Sequence, residues 1–191
     1  MNITIHGEDG IGPELRRIAG VMARPRRLLA AVGKQLEVDL RKHFARRDAE
    51  PNAQGWPKRH FWKREVAQHT ALTEVSDDQA VVSIASPAFV HKLLGGKVTP
   101  KRGRALSIPL SADAYRAGSA SLFPRPLSRI NRPGKPPLLV EKDKDAWHLH
   151  YVLLTSVTHD PDPDALPSRL ELEESLLARA RALLARVTRP Q

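Results

Sequence analysis

His148 and His150 flank one residue on a stretch that alternates like a strand, so both side chains are expected on one face. Two imidazoles placed this way begin a zinc-type centre, which needs a third ligand from another histidine or a carboxylate. His43, His69, His91 and His159 are the other candidates, and spacing ties none of them to the pair. A metal-dependent hydrolase using His148 and His150 is therefore one reading; a half-exposed strand face is the simpler one. Ser107, Ser111 and Ser119 each lack the Gly-x-Ser-x-Gly turn that presents a nucleophile. Gly95-Gly-Lys97 is too short for a phosphate loop, which needs wider glycine spacing and a following Ser or Thr. Asp160-Pro-Asp-Pro-Asp164 has the spacing that opens a calcium loop, but its prolines and the missing terminal glutamate oppose that use. Turn formation suits it better, and suits Asp77-Asp78 as well. The expectation is a chain with no catalytic, cofactor-binding or metal-ligating set, and no cofactor.

Charge says more than these motifs. The 191 residues carry a formal net charge of +10. Basic residues gather at 24–27, 41–64 and 97–104, with Arg125, Arg129, Arg132 and Lys135 as a fourth group. Such a balance favours phosphates, acidic protein surfaces or anionic lipid. A basic nucleic-acid-binding module is thus an alternative function. Aromatics make up only 5% of the chain, which argues against a base-stacking platform. Trp56, Phe61 and Trp62 lie among basic residues in 50–64; they are read as plugging a seam between helix and sheet. There is no cysteine, so neither disulfides nor thiolate-bound zinc are available. Met1-Asn-Ile-Thr-Ile-His-Gly7 has no basic n-region, and no window approaches the roughly 18 apolar residues of a membrane span.

Several elements can be drawn from period and punctuation. A short strand is expected at 1–5 and a short helix at 13–22. A longer helix, 25–47, starts at Pro25, with Leu28, Leu29, Val32, Leu36, Leu40 and Phe44 on one face and Pro51 as a stop. Residues 71–76 and 80–85 read as a hairpin around the turn 77–79. A helical or extended piece follows at 89–94, then strand candidates at 98–99 and 105–108. Residues 111–136, rich in Ser, Ala, Gly, Arg and Pro, read as a long loop. A second hairpin spans 138–158, with Glu141 to Asp145 as its charged turn. The final helix, 168–187, has Ser168 and Glu171 spaced as a capping box. Its apolar stripe is Leu172, Leu176, Ala180, Leu183, Leu184 and Val187. Helix, strands, helix in that order predicts an α+β fold. A small antiparallel sheet or sandwich would pack with a long N-terminal-half helix and a C-terminal helix, in one domain over 1–191. Residues 1–24 would be an extension of that domain.

The segment from Ala88 to Leu110 carries a resemblance. Phe-Val-His-Lys-Leu-Leu-Gly-Gly-Lys-Val-Thr-Pro-Lys, then Ala-Leu-Ser-Ile-Pro, is similar to the middle of the phage virion morphogenesis or tail completion proteins, including the Mu-like type. Asn52-Ala-Gln-Gly-Trp-Pro57 resembles a second segment of that family. The resemblance covers roughly residues 25–160. It departs at His91-Lys-Leu-Leu-Gly-Gly96, where an aromatic is expected before the glycines, and at 158–167, where an Arg-Pro-rich closing motif is expected. The resemblance implies a non-enzymatic structural or assembly protein of a virion, assembled in the host cytoplasm. It would act as a tail terminator or neck component at the head–tail junction or tail end. It further implies self-association into a ring, with a hexamer as the first expectation. Partners would be neck, connector or tail-tube proteins, with packaged DNA in the channel and no membrane. Lys97, Lys101, Arg102 and Arg104 are the residues expected to meet a neighbouring subunit or that DNA.

Overall fold

Pro25 fixes its own φ and has no N–H to lose, so it suits a helix start. Its carbonyl accepts the N–H of Leu29 at 2.9 Å, and helix α1 runs Arg26–Ala49 until Pro51 ends the pattern. A computed structural model describes residues 19–20, 23–51, 54–101, 103–144 and 146–188, without the side chains of 187 and 188. The expected strand at 1–5, most of the helix at 13–22, and Asn52, Ala53 and Arg102 lie outside the described residues.

The chain divides into two compact units. The first gathers residues up to Arg47, Trp62–Ser86 and the chain from Leu166 onward; the second gathers Asp48–Phe61 and Pro87–Ala165. In the first unit, α1 buries Gly33, Glu37, Leu40, His43 and Phe44. A short π-helical turn, Trp62–Val66, and a 3-10 turn, Ala67–His69, lead into strand β1, Thr70–Val75. Trp62 stacks flat on Phe44, with ring centroids 6.0 Å apart and planes at 6°. Its role as an anchor for irregular backbone is thus met on α1. β1 pairs antiparallel with β2, Ala80–Ile84, as the alternation predicts. The turn between them is closed by Ser76, whose hydroxyl accepts the N–H groups of Asp78 and Gln79. The C-terminal helix of this unit, Arg169–Thr188, starts on the expected capping box. Ser168 Oγ accepts the Glu171 N–H at 3.2 Å, and the Glu171 carboxylate accepts the Ser168 N–H at 3.3 Å.

In the second unit, helix α2 covers Pro87–Leu94. Strand β3, Gly96–Val98, pairs with a late strand, Val157–His159. A four-stranded antiparallel sheet forms the body of the unit. Its strands in spatial order are β4 (Leu106–Pro109), β7 (Trp147–Leu154), β6 (Lys135–Lys142) and β5 (Ser128–Arg132). Tyr151, Phe123 and Ala114 are its buried centre, with Leu127 and Leu139 packed around them. The long loop expected over 111–136 is not one. Helix α3, Ala112–Ala117, a 3-10 turn, Ala120–Leu122, and the whole of β5 fall inside it. α3 is capped by Ser111, whose hydroxyl accepts the Ala114 N–H, and ends at Gly118, which takes φ +88°. β5 is an edge strand of Ser, Arg and Asn around Ile130, so it needs no apolar alternation to form. The fold is α+β, with antiparallel sheets, a long N-terminal-half helix and a C-terminal helix.

Candidate functional site

The segment 95–104 combines a fixed root with an open tip. Gly95 takes φ +67°, a conformation that side chains disfavour. A Cβ there would stand 2.6 Å from the His159 carbonyl oxygen and 2.8 Å from the Pro161 nitrogen. Glycine is therefore required on two counts, and the backbone is held against the strand Val157–His159. The Asp160–Asp164 segment forms a turn: the Asp162 carboxylate accepts the Asp164 N–H at 3.1 Å, and the Asp162 N–H reaches the Lys92 carbonyl at 2.8 Å. Lys97, Lys101 and Arg104 are all exposed, and none ion-pairs with another described residue. Lys97 lies on β3; Lys101 and Arg104 lie on the stretch between β3 and β4. Arg102 lies outside the described residues.

The aromatics of 50–64 separate. Trp62 packs on α1 in the first unit. Trp56 packs in the second unit on Tyr115 of α3, with centroids 5.2 Å apart. Arg59 covers the other aromatic opportunity, its guanidinium 4.3 Å from the Tyr115 ring centre and hydrogen-bonded to the Tyr115 carbonyl.

A second constellation forms where the sequence shows little. The register of β6 on β7 steps from Leu139 opposite Tyr151 to Val140 opposite Leu149. His150 is left as the extra residue of a bulge, a device that re-aims a side chain. Alternation fails there: Trp147, His148 and Leu149 are exposed, whereas His150 and Tyr151 are both buried. The His150 imidazole is hydrogen-bonded at both nitrogens. Nε2 lies 3.1 Å from Glu141 Oε2 and Nδ1 lies 2.8 Å from Ser111 Oγ. A carboxylate only accepts, so Nε2 carries a proton, and in the neutral imidazole Nδ1 presents its lone pair to Ser111. Ser111 Oγ also accepts the Ala114 N–H at 3.2 Å, and its own hydrogen is available to that Nδ1 lone pair. Phe123 packs on the imidazole, with centroids 4.3 Å apart. Arg125 pairs with the other Glu141 oxygen at 3.1 Å and with Asp113 at 3.4 Å. Ser111, Asp113, Arg125, Glu141, Trp147, His148, Leu149 and His150 line a cleft of about 450 Å³.

His148 and His150 thus border one cleft, but both nitrogens of His150 are engaged. Among the described residues no group of three or more His, Asp or Glu side chains is gathered to hold a metal ion. His43 is buried on α1 in the first unit, His69 Nδ1 meets the Glu65 carbonyl, and His91 and His159 are exposed. Of the three serines, Ser111 alone hydrogen-bonds a histidine among the described residues. Sequence reasoning set Ser111 aside for want of a glycine-flanked turn and placed Glu141 in a turn. β6 in fact continues through Lys142, so Glu141 stands on a strand opposite His148. No helix among the described residues is long and apolar enough to cross a membrane. No known protein family, curated protein or solved structure matches this chain.

Proposed function

We propose that this chain is a structural or assembly component of a phage particle, of the tail completion type, acting at the tail end or head–tail junction by contact with its neighbours. The observation that supports this reading is the 95–104 segment, which also carries the resemblance. Its root is pinned by Gly95 against His159 and Pro161, and Lys97, Lys101 and Arg104 are exposed and ion-pair with no other described residue. Exposed charges contribute little to the stability of their own fold, so a cluster of them is free to serve a partner. Such a rooted, charged segment would suit a ring subunit that meets an adjacent copy or an acidic surface in the channel. Self-association into a ring, with neck, connector or tail-tube proteins as neighbours, is part of this reading.

The test is the simultaneous change Lys97→Glu, Lys101→Glu, Arg102→Glu and Arg104→Glu. The altered chain should stay folded by circular dichroism. Native mass spectrometry should show that it loses the oligomer formed by the unaltered chain. Oligomers of unchanged size and yield would remove the segment from any assembly role. The basic net charge favours nucleic acid as a second reading. Retention on duplex DNA that falls steeply with salt, and falls again on charge reversal, would turn the same cations toward DNA.

A further inference from the structure

The cleft on the four-stranded sheet carries chemistry that a contact role does not use. A buried histidine needs only a donor and an acceptor to be satisfied, and backbone groups usually supply them. Here the acceptor is a carboxylate and the donor is an alcohol that lines a cleft. Alcohol, imidazole and carboxylate joined in sequence by hydrogen bonds are the arrangement that activates an alcohol as a nucleophile, on whatever fold it occurs. The polarity is also correct: Glu141 holds the Nε2 proton, so the Nδ1 lone pair faces the Ser111 hydroxyl. Phe123 shields one side of the imidazole, and His150 itself is only 4% exposed. Proton transfer from Ser111 therefore need not compete with bulk water at the base.

We propose that Ser111 is an activated nucleophile, with His150 as its general base and Glu141 as the residue that positions His150, in a site for small uncharged esters. Ser111 Oγ would attack the ester carbonyl carbon as its proton passes to His150 Nδ1. The bond from that carbon to the alkoxy oxygen would break, and the alcohol would leave with the proton. Water would then add to the acyl-serine by the same proton route, release the acid and restore Ser111. No oxidant, reductant or metal is needed to balance these steps. The substrate class follows from the lining. Asp113 and Glu141 share the Arg125 guanidinium, and Asp113 also pairs with Arg116 at 3.1 Å, so both guanidiniums are already engaged by carboxylates and neither is left over for an anionic ligand. Trp147 and Leu149, 52% and 48% exposed, offer apolar surface to an acyl or alkyl chain. The proposal does not rest on the assembly reading.

The test treats the full chain with a fluorophosphonate probe and, separately, with p-nitrophenyl butyrate. Peptide mass mapping should place one phosphonyl group on Ser111, and the ester should turn over. The position of the label is read on the unaltered chain, so it stands whether or not a variant folds. Ser111→Asn keeps a good helix cap but removes the nucleophile, and should abolish both readouts. Glu141→Gln should lower kcat on the order of 10²-fold with KM held, and Glu141→Asp should recover part of the loss. Absence of label from Ser111 of the folded chain would overturn the proposal, as would ester turnover that survives Ser111→Asn. An unchanged kcat in Glu141→Gln would remove Glu141 from it.

Discussion

Glu37 lies on the buried face of α1 and is 4% exposed, so its charge must be met locally. Lys34 donates to Oε2 at 2.8 Å, the Leu72 N–H reaches the same oxygen at 3.2 Å, and Arg41 lies 3.1 Å from Oε1. Arg41 also donates to the Thr70 carbonyl, at 2.7 Å through Nη2. One carboxylate thereby ties the helix to the edge of β1. The Lys34 hydrogen bond, chiefly, holds the Glu37 carboxyl below its ordinary range; burial works against it, and the Leu72 N–H and Arg41 assist. The unfolded chain therefore binds the Glu37 proton more readily than the folded one. The stability that Glu37 contributes is complete above the unfolded value and is lost as pH falls through the folded one. Glu37→Ala should cost about 1–3 kcal/mol at neutral pH, because the Leu72 N–H, half-buried, is left without this acceptor. Denaturant titrations at neutral and acid pH should show the gap between the two chains narrowing as pH falls. A gap that does not change with pH would mean that the charge of Glu37 does not matter.

Gly33 decides how closely α1 approaches its hairpin. A Cβ at this position would stand 2.7 Å from Leu72 Cδ1 and 2.8 Å from Ala80 Cβ. Leu72 can rotate away, but the Ala80 methyl is fixed to the strand, so the helix itself has to shift. Two effects oppose each other in Gly33→Ala. Helix propensity favours alanine by about 1 kcal/mol, and overpacking costs about 1–3 kcal/mol. Net destabilisation of up to about 2 kcal/mol is expected from thermal or denaturant unfolding; a stabilised variant would mean that the helix moves away freely. The apolar period of α1 predicts Leu36, Leu40 and Phe44 packed on the sheet; Leu40 and Phe44 are buried, and Leu36, like Leu28, Leu29 and Val32 on the same face, is half-buried. It gives no sign that Gly33, Glu37 and His43 share the buried face. Those residues are small, charged or polar: Gly33 lies against Leu72 and Ala80 of the hairpin, Glu37 meets the Leu72 N–H, and His43 lies edge-on to Phe44. The same limit hid the 111–136 elements. α3 is six residues long and β5 is a polar edge, too short or too exposed for periodicity to register.

At the scale of the whole molecule, chain order and unit membership diverge. The first unit is completed by α4, Arg169–Thr188, only after the second unit's Pro87–Ala165 has been laid down. Within the first unit Ser175 donates to the Asp39 carboxylate of α1 at 2.6 Å, and Arg46 of α1 lies 3.8 Å from Glu171. The half-buried stripe of α4 includes Leu172, Leu176, Ala180, Leu183 and Leu184, as its period predicts; the side chain of Val187 lies outside the described residues. An amphipathic helix draws most of its stability from such packing, and its neighbour draws on the same contacts. Deleting 169–188 should therefore lower amide-exchange protection in α1 and the β1–β2 hairpin more than in β6 and β7. Equal losses throughout, or none, would show that α4 does not support the first unit.

The sequence by itself determined what local chemistry determines. Pro25 and Pro51 bracket α1, Ser168 and Glu171 start α4, and alternation marks both hairpins, because each signal acts within a few residues. The exposure of Lys97, Lys101 and Arg104 was legible for the same reason: charges that close together cannot be buried unpaired. Tertiary structure alone decided the cleft. Ser111 and His150 are 39 positions apart, and they meet only because β4 and β7 pair in one register. A bulge in β7 then turns His150 inward, toward Glu141 and Ser111. A one-residue step in strand register reverses which face a side chain occupies, and neighbouring residues along the chain carry no record of that step. His148 and His150 were therefore visible as a pair but not as unequal partners, one exposed and one buried between an alcohol and a carboxylate.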